Sequence, residues 1–336
     1  MAEPKIIVWD IDGVLIAAGR SYRQTIINTT QYYFADLIGF PLTDKLLSWE
    51  DTQSFKLAGG FNDDWELTYS AILCYLAKLI SESKASVQGP YVPPGDLDGL
   101  SSKLKAFGRT CGSCALKLNI QQITSKAAAA GGGMAGVEKV LIQMFGDSVA
   151  KAKVVWFPAL IKQVFEEMYL GSKLFSKKYG ISSTFYSGEG LISKEDALAD
   201  IGTLLELRKK YYFGVATGRE RFEAEFSLRA HGFSRLFPSE LIVSLGDTAE
   251  KKPSPQPLLE CRKRICHKYT LPADTPAMYI GDSIDDFAAA KAAGFLFVAV
   301  VGGVPDPAAR ERMRAMFHDK MADLIVDEIE ELPLYM

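Results

Sequence analysis

Residues 5–16, KIIVWDIDGVLI, form an apolar run interrupted only by Lys5, Asp10, Asp12 and Gly13. The stretch reads as a buried β-strand over 5–9 that ends in two carboxylates. Side chains two apart on a strand share a face, so both acids gather at the strand tip, although the backbone can already turn at Gly13. Two carboxylates at one point repel each other unless a cation joins them. This strand end therefore constrains the fold and the chemistry together.

Further short apolar or aromatic runs occur at 211–216 (YYFGVA), 241–245 (LIVSL), 277–280 (AMYI) and 296–301 (LFVAVV). From residue 190 onward they alternate with helical patterns. SKEDALADIGTLLELRKK opens on a capping-box-like Ser193 and Asp196 and closes on a basic turn, which predicts one helix across it. RFEAEFSLRAHG ends on Gly232, a helix stop. Strands alternating with helices predict an α/β fold with a Rossmann-like parallel sheet, whose ligands sit beyond the carboxyl ends of the strands.

At 336 residues the chain is long enough for two domains. Residues 17–188 carry long helical stretches such as SYRQTIINTTQYYFADLI, DWELTYSAILCYLAKLI and FPALIKQVFEEMYLGSKLFSKKYG, with no strand rhythm. They predict a large, mainly helical domain inserted after the first strand, leaving 1–16 and 189–336 as the α/β core. Within the insert, SVQGPYVPPGDLDGLSS reads as a loop and AAAAGGGMAG as a turn between helices. Gly131, Gly133 and Gly136 formally satisfy GxGxxG, but alanines precede them instead of a strand and no acid follows at the dinucleotide spacing.

A formal net charge of -3 leaves no basic footprint for nucleic acid or an anionic membrane. No apolar run reaches the ~18 residues that span a bilayer, and MAEPK lacks signal-peptide character, so a cytoplasmic protein is expected. Five cysteines do not suggest a disulfide framework. Cys111 and Cys114 form CGSC, but a zinc site would need a second pair.

Each strand end carries chemistry. Asp10 and Asp12 follow the first strand; Thr217, Gly218 and Arg219 the second; Lys251 and Lys252 lie past the third; Asp282, Asp285 and Asp286 follow the fourth. Singly, each has a bland reading as a turn, a cap or a solvated loop. Together, at one sheet edge, they suit phosphoryl transfer. An all-oxygen acidic site fits Mg²⁺, one carboxylate can attack phosphorus, a second can move the proton, and fixed donors can hold the equatorial oxygens.

WDIDGVLI, VATGR, KKPSPQPL and YIGDSIDDFAAAKAAG together resemble the haloacid dehalogenase-like superfamily, in its helical-capped phosphatase branch. The resemblance covers residues 1–16 and roughly 190–303. It implies Asp10 as nucleophile, Asp12 as general acid/base, Thr217 as phosphate donor and Lys252 as the neutralising lysine. It also implies Mg²⁺ held by Asp10, the backbone carbonyl of Asp12, Asp282 and Asp286, the last directly or through water. Asp12 speaks against the dehalogenases of this fold, which lack an acid at that position. The expected activity is hydrolysis of a small phosphorylated metabolite; a phosphomutase of the same fold, or a non-catalytic binding protein using the large insert, are the alternatives.

The insert is longer than the cap usual in this family, which favours an enclosed site and a small substrate. Gln256 stands where an aspartate is frequent. Arg20, Tyr22, Gly218, Arg219 and, within KLAGGFNDDWELT, Trp65 are candidate substrate contacts.

Overall fold

The computed structural model describes residues 5–61, 64–83, 85, 87, 91–112, 114–304 and 306–336. It divides into two compact units, residues 1–20 with 193–336, and residues 21–192. These boundaries lie four residues beyond the expected 16/17 and 188/189.

The first unit is built on six parallel strands: β1 (Ile6–Trp9), β2 (Tyr212–Ala216), β3 (Ile242–Val243), β4 (Ala277–Gly281), β5 (Leu296–Val300) and β6 (Leu324–Val326). Their order is β3-β2-β1-β4-β5-β6. Alternation along the strands decides how this sheet is covered. Ile7 and Trp9 on β1, Phe213 and Val215 on β2, and Met278 and Ile280 on β4 join one core with Leu204, Leu207, Ala224 and Leu228 from helices Ile201–Lys210 and Arg221–Ala230. Ile6, Val8, Tyr279, Phe297 and Ala299 join the other core with Leu258, Cys261, Ile265 and Ala289 from helices Gln256–Tyr269 and Ile284–Ala293. Period-two alternation with both faces apolar is what a parallel sheet buried on two sides requires.

Three sequence expectations change. The helix read from Ser193 begins at Ile201, capped by Asp200, whose Oδ2 accepts from Thr203 N at 2.9 Å. Residues 195–198 are held elsewhere: Ala17 N donates to Asp196 O (2.8 Å), Leu198 N donates to Leu15 O (2.9 Å), and Ile16 bridges Ala197 in antiparallel fashion. Tertiary pairing thus overrides a local helical pattern. The strand expected over 241–245 shrinks to two residues, because Ser239–Leu241 forms a 3-10 turn and Ser244 turns back to Asp247. Finally, β6 was not anticipated: LIV is too short to declare itself by periodicity.

The second unit is helical. Its central helix, Asp64–Ser83, buries residues on nearly every face from Leu67 to Ile80 and packs against helices Gly133–Phe145, Ser148–Lys153 and Pro158–Tyr179. The last of these breaks at Gly171, where φ 73° and ψ 164° are non-helical. A Cβ at Gly171 would collide with the backbone of Gly190, so both the backbone conformation and the space demand glycine there. Buried Glu167 pins the chain that follows, accepting from the N–H groups of Thr184 (2.9 Å), Phe185 (2.5 Å) and Tyr186 (3.0 Å).

The alanine–glycine stretch is the expected interhelical turn, between Ile120–Ala129 and Gly133–Phe145, and Gly133 N donates to Gly59 O at 2.8 Å. The loop expected across SVQGPYVPPGDLDGLSS extends too far, since Asp96 caps a helix over Leu97–Gly108.

Gly214 on β2 leaves room for the helix behind it: a Cβ would stand 2.5 Å from Cys261 Sγ and 2.8 Å from Ile265 Cδ1. Gly214→Ala is expected to destabilise the α/β unit by about 1–3 kcal/mol through overpacking, read as a lowered urea midpoint.

Candidate active site

The sheet register brings the chemistry to one edge. Trp9 is level with Val215 on β2 and with Ile280 on β4, so Asp10, Thr217 and Asp282 all emerge just past the ends of three adjacent strands. The chain runs from β1 to β2 and β3 on one side and then crosses to β4 on the other side of β1, so β1 and β4 flank the kind of crevice where open α/β sheets bind ligands.

Asp10 is buried, with its Oδ1 accepting from Ile11 N at 2.8 Å and its Oδ2 paired with Lys252 Nζ at 3.1 Å. Single carboxylate oxygens of Asp10, Asp282 and Asp286 all lie within 4.8 Å of one another. Gly13 makes this crowding possible. Its φ is +74°, and a Cβ there would run into Asp282 Oδ2. The glycine of DxDG thus provides the left-handed turn and the space for a carboxylate from another strand.

Asp286 is fully buried and has several donors. Its Oδ2 accepts from Asp282 N (3.2 Å) and Ser283 N (3.0 Å), closing a capping box at the start of helix Ile284–Ala293. Its Oδ1 accepts from Lys252 Nζ at 2.7 Å. Tyr279, missed in the sequence, completes this corner. Lys252 Nζ donates to its hydroxyl at 2.8 Å, and that hydroxyl lies 2.9 Å from Ala216 O, one residue before Thr217, and 3.2 Å from Asp286 Oδ1. The signal was present in YIGDS, where Tyr279 is a hydroxyl on a strand otherwise apolar.

The electrostatics follow from burial and crowding. Burial, the largest influence, pushes the Asp10 carboxyl from an ordinary 3.8 up to about 7; Lys252 pulls it down, and Asp286 and Asp12 push it further up. Asp282 is raised well above the carboxylate range by burial and then by Asp286 and Asp10. For Lys252, burial disfavours the ammonium, but Asp10 and Asp286 outweigh it and raise its pKa above the ordinary value. A compact set of hard oxygen ligands whose charges repel one another fits a divalent cation.

Asp12 stands apart. Its carboxylate does not join the acidic triad; it is 36% exposed and meets the Arg219 guanidinium, whose Nη2 lies 2.5 Å from Oδ1. Arg219, a candidate substrate contact, is turned inward with its side chain 0% exposed, also pairing with Glu195 Oε2 at 2.9 Å. Thr217 is buried, with its Oγ1 accepting from Arg219 N at 3.2 Å. Gly218 is exposed, with open space where a Cβ would be. The Arg20 side chain lies outside the described residues, as do Asn62 and Asp63 of the loop before Trp65. Trp65 belongs to the helical unit, where Lys162 Nζ sits 3.8 Å from its ring centroid. Tyr22 stacks on Tyr169 at 4.4 Å within that same unit. Among the described residues, no helix is long and apolar enough to cross a membrane.

Residues 197–300 match the model of the haloacid dehalogenase-like hydrolases. The matched stretch, which runs from before β2 to the end of β5, is similar to that family. Thr217, Lys252, Asp282 and Asp286 lie within the matched residues, and Asp10 and Asp12 lie outside them, just past β1. Similar solved folds include an X-ray structure from the Northeast Structural Genomics Consortium, at TM-score 0.69 and 18% identity, covering 98% of this chain and 97% of that one. Another is phosphatase Tt82 from Thermococcus thioreducens, at TM-score 0.50 and 24% identity, covering 93% and 98% respectively. A curated relative named imidazoleglycerol-phosphate dehydratase, from Phytophthora nicotianae, is 25% identical over 314 residues, which is 91% of this chain. The chain spans 45% of that relative's length.

The raised acids have a stability consequence with a definite sign. An acid with a higher pKa folded than unfolded contributes stability that is full below the unfolded value and lost as pH rises through the folded one. For Asp10 that window runs from 3.8 to about 7. In EDTA, the wild-type melting temperature is therefore expected to fall more steeply between pH 5 and 7.5 than that of Asp10→Asn. Added Mg²⁺ is expected to raise the wild-type value more at pH 7.5 than at pH 5.

Proposed function

We propose that this protein is a Mg²⁺-dependent phosphatase that hydrolyses a small phosphomonoester through a phosphoaspartate on Asp10. The observation that carries this reading is the unlike surroundings of two aspartates two residues apart. Asp10 is buried, ion-paired with Lys252 and part of the acidic triad, whereas Asp12 is partly exposed and lies outside the triad. Carboxylates driven into different environments suit different roles, here nucleophile and proton carrier.

Asp10, Asp282 and the Asp12 backbone carbonyl would hold the cation, with Asp286 acting through water because its oxygens already accept from Lys252 Nζ and two backbone N–H groups. When bound, Mg²⁺ supplies positive charge to the phosphoryl oxygens and lets the crowded carboxylates stay ionised together.

A carboxylate oxygen of Asp10 forms a bond to phosphorus while the bond to the ester oxygen breaks, and the departing alkoxide takes a proton from the Asp12 carboxyl. Asp12, now a carboxylate, accepts a proton from water as that water's oxygen attacks the phosphoaspartate. The bond to Asp10 breaks and inorganic phosphate leaves. Thr217 Oγ1 and Lys252 Nζ are the donors for the equatorial oxygens.

The substrate class has one pointer. The curated relative is named for an enzyme of imidazoleglycerol phosphate, itself a phosphomonoester. Phosphate esters of imidazole-bearing alcohols are therefore the first arm of a substrate panel, beside sugar and other alkyl phosphates.

Release of 4-nitrophenol from 4-nitrophenyl phosphate is expected with Mg²⁺ and is expected to stop with EDTA. Asp10→Asn is expected to lower it by at least about 10³-fold, as loss of a nucleophile does. Turnover that survives this substitution would overturn the mechanism.

A further inference from the structure

The guanidinium of Arg219 is bonded on both its ends. Nε donates to Asp12 Oδ1 at 2.7 Å and Nη2 approaches the same oxygen at 2.5 Å, so two nitrogens converge on one carboxylate oxygen. At the far end Nη1 donates to Glu195 Oε2 at 2.9 Å and to Ser227 Oγ at 2.5 Å. Ser227 Oγ in turn donates to Glu195 Oε2 at 3.0 Å, closing a ring of three groups. Arg219 and Glu195 side chains are both 0% exposed, in contrast to that of Asp12.

These partners come from separate elements. Arg219 follows β2, Ser227 lies on helix Arg221–Ala230, and Glu195 precedes the strip that pairs with residues 15–17. The guanidinium is planar, and its donors form a rigid fork. Glu195 and Ser227 fix the plane of that fork from behind. Its front then fixes Oδ1 of Asp12 and leaves Oδ2 outside the clamp, on a carboxyl that still reaches solvent.

We propose that Arg219, braced by Glu195 and Ser227, is a positioning residue that holds the Asp12 carboxyl in place for proton transfer. The proposal rests on the phosphatase reading. A buried ion pair that served the fold alone would be complete with Glu195 and Ser227; the doubled contact to a partly exposed acid two residues beyond the nucleophile is what a structural role leaves unexplained.

Leaving-group dependence tests it. 4-Nitrophenolate departs without a proton, whereas an alkoxide needs one from Asp12. With Mg²⁺ present, single-turnover cleavage of glycerol phosphate is compared with the first burst of nitrophenolate from 4-nitrophenyl phosphate. In Arg219→Lys, which keeps the charge and loses the fork, glycerol phosphate cleavage is expected to slow about tenfold or more while the nitrophenolate burst stays within about threefold, the disparity expected when proton donation is impaired. Arg219→Lys added to Asp12→Asn is expected to slow glycerol phosphate cleavage no further than Asp12→Asn alone.

Glu195→Gln keeps the shape of the brace without its charge, and it supplies the same comparison if Arg219→Lys does not fold, with a smaller disparity of the same sign. Equal losses on both substrates, or a loss additive with Asp12→Asn, overturn this inference alone. No turnover of either substrate by the wild-type chain overturns the phosphatase reading and this inference with it.

Discussion

Three carboxylates, Asp10, Asp282 and Asp286, are held within 4.8 Å of one another at the edge of a buried sheet, and much of the surrounding structure answers that repulsion. Their positions follow from the register of β1 against β4 and from the helix that begins at Ile284. Lys252 pairs with Asp10 and Asp286 together, and backbone N–H groups at a helix start accommodate the remaining oxygen of Asp286. Gly13 leaves free the space that a side chain at its position would contest with Asp282. Burial favours the neutral form of these acids, and both Asp10 and Asp282 are raised above the ordinary carboxylate value in that direction.

The same crowding explains why Tyr279 is buried beside a lysine. Its hydroxyl touches Lys252, Asp286 and the carbonyl of Ala216, so β2, β4 and the lysine loop are tied at one oxygen. Burial and the neighbouring carboxylates raise the phenol well above its ordinary value, which keeps it neutral and able to donate. Lys252 is thereby oriented by three oxygens, a geometry that limits its long side chain to one place.

Much of this was legible in the sequence because it lies in short-range patterns. Short apolar or aromatic runs mark β1, β2, β4 and β5, and the polar residues directly after β1, β2 and β4 mark the site edge. What stayed hidden depends on partners far apart in the chain. Glu195 sits in a segment whose local pattern is helical, and only its pairing with residues 15–17 places it beneath Arg219. Arg219 itself has the composition of an exposed strand-end residue, and a sequence offers no sign that a guanidinium turns inward when its two acidic partners lie 207 and 24 positions away. The three-residue β6 is obscured for a different reason: so short an edge strand carries less than one full pattern repeat on each face, whereas β3 lies inside the expected 241–245 and is only shorter.

The contrast between the two aspartates of the opening motif is set by which cation each meets. Asp10 faces an ammonium that it shares with another carboxylate, in a cluster still short of positive charge. Asp12 faces a guanidinium that is also shared, with Glu195, but it is the more exposed partner and water can screen it. A buried arginine between two acids leaves one negative charge in excess, and that excess is most cheaply carried where solvent reaches. The exposed end of the chain Glu195–Arg219–Asp12 is therefore the end that solvent screens. Burial of Glu195 and exposure of Asp12 thus assign direction to a network whose charges alone would be symmetric.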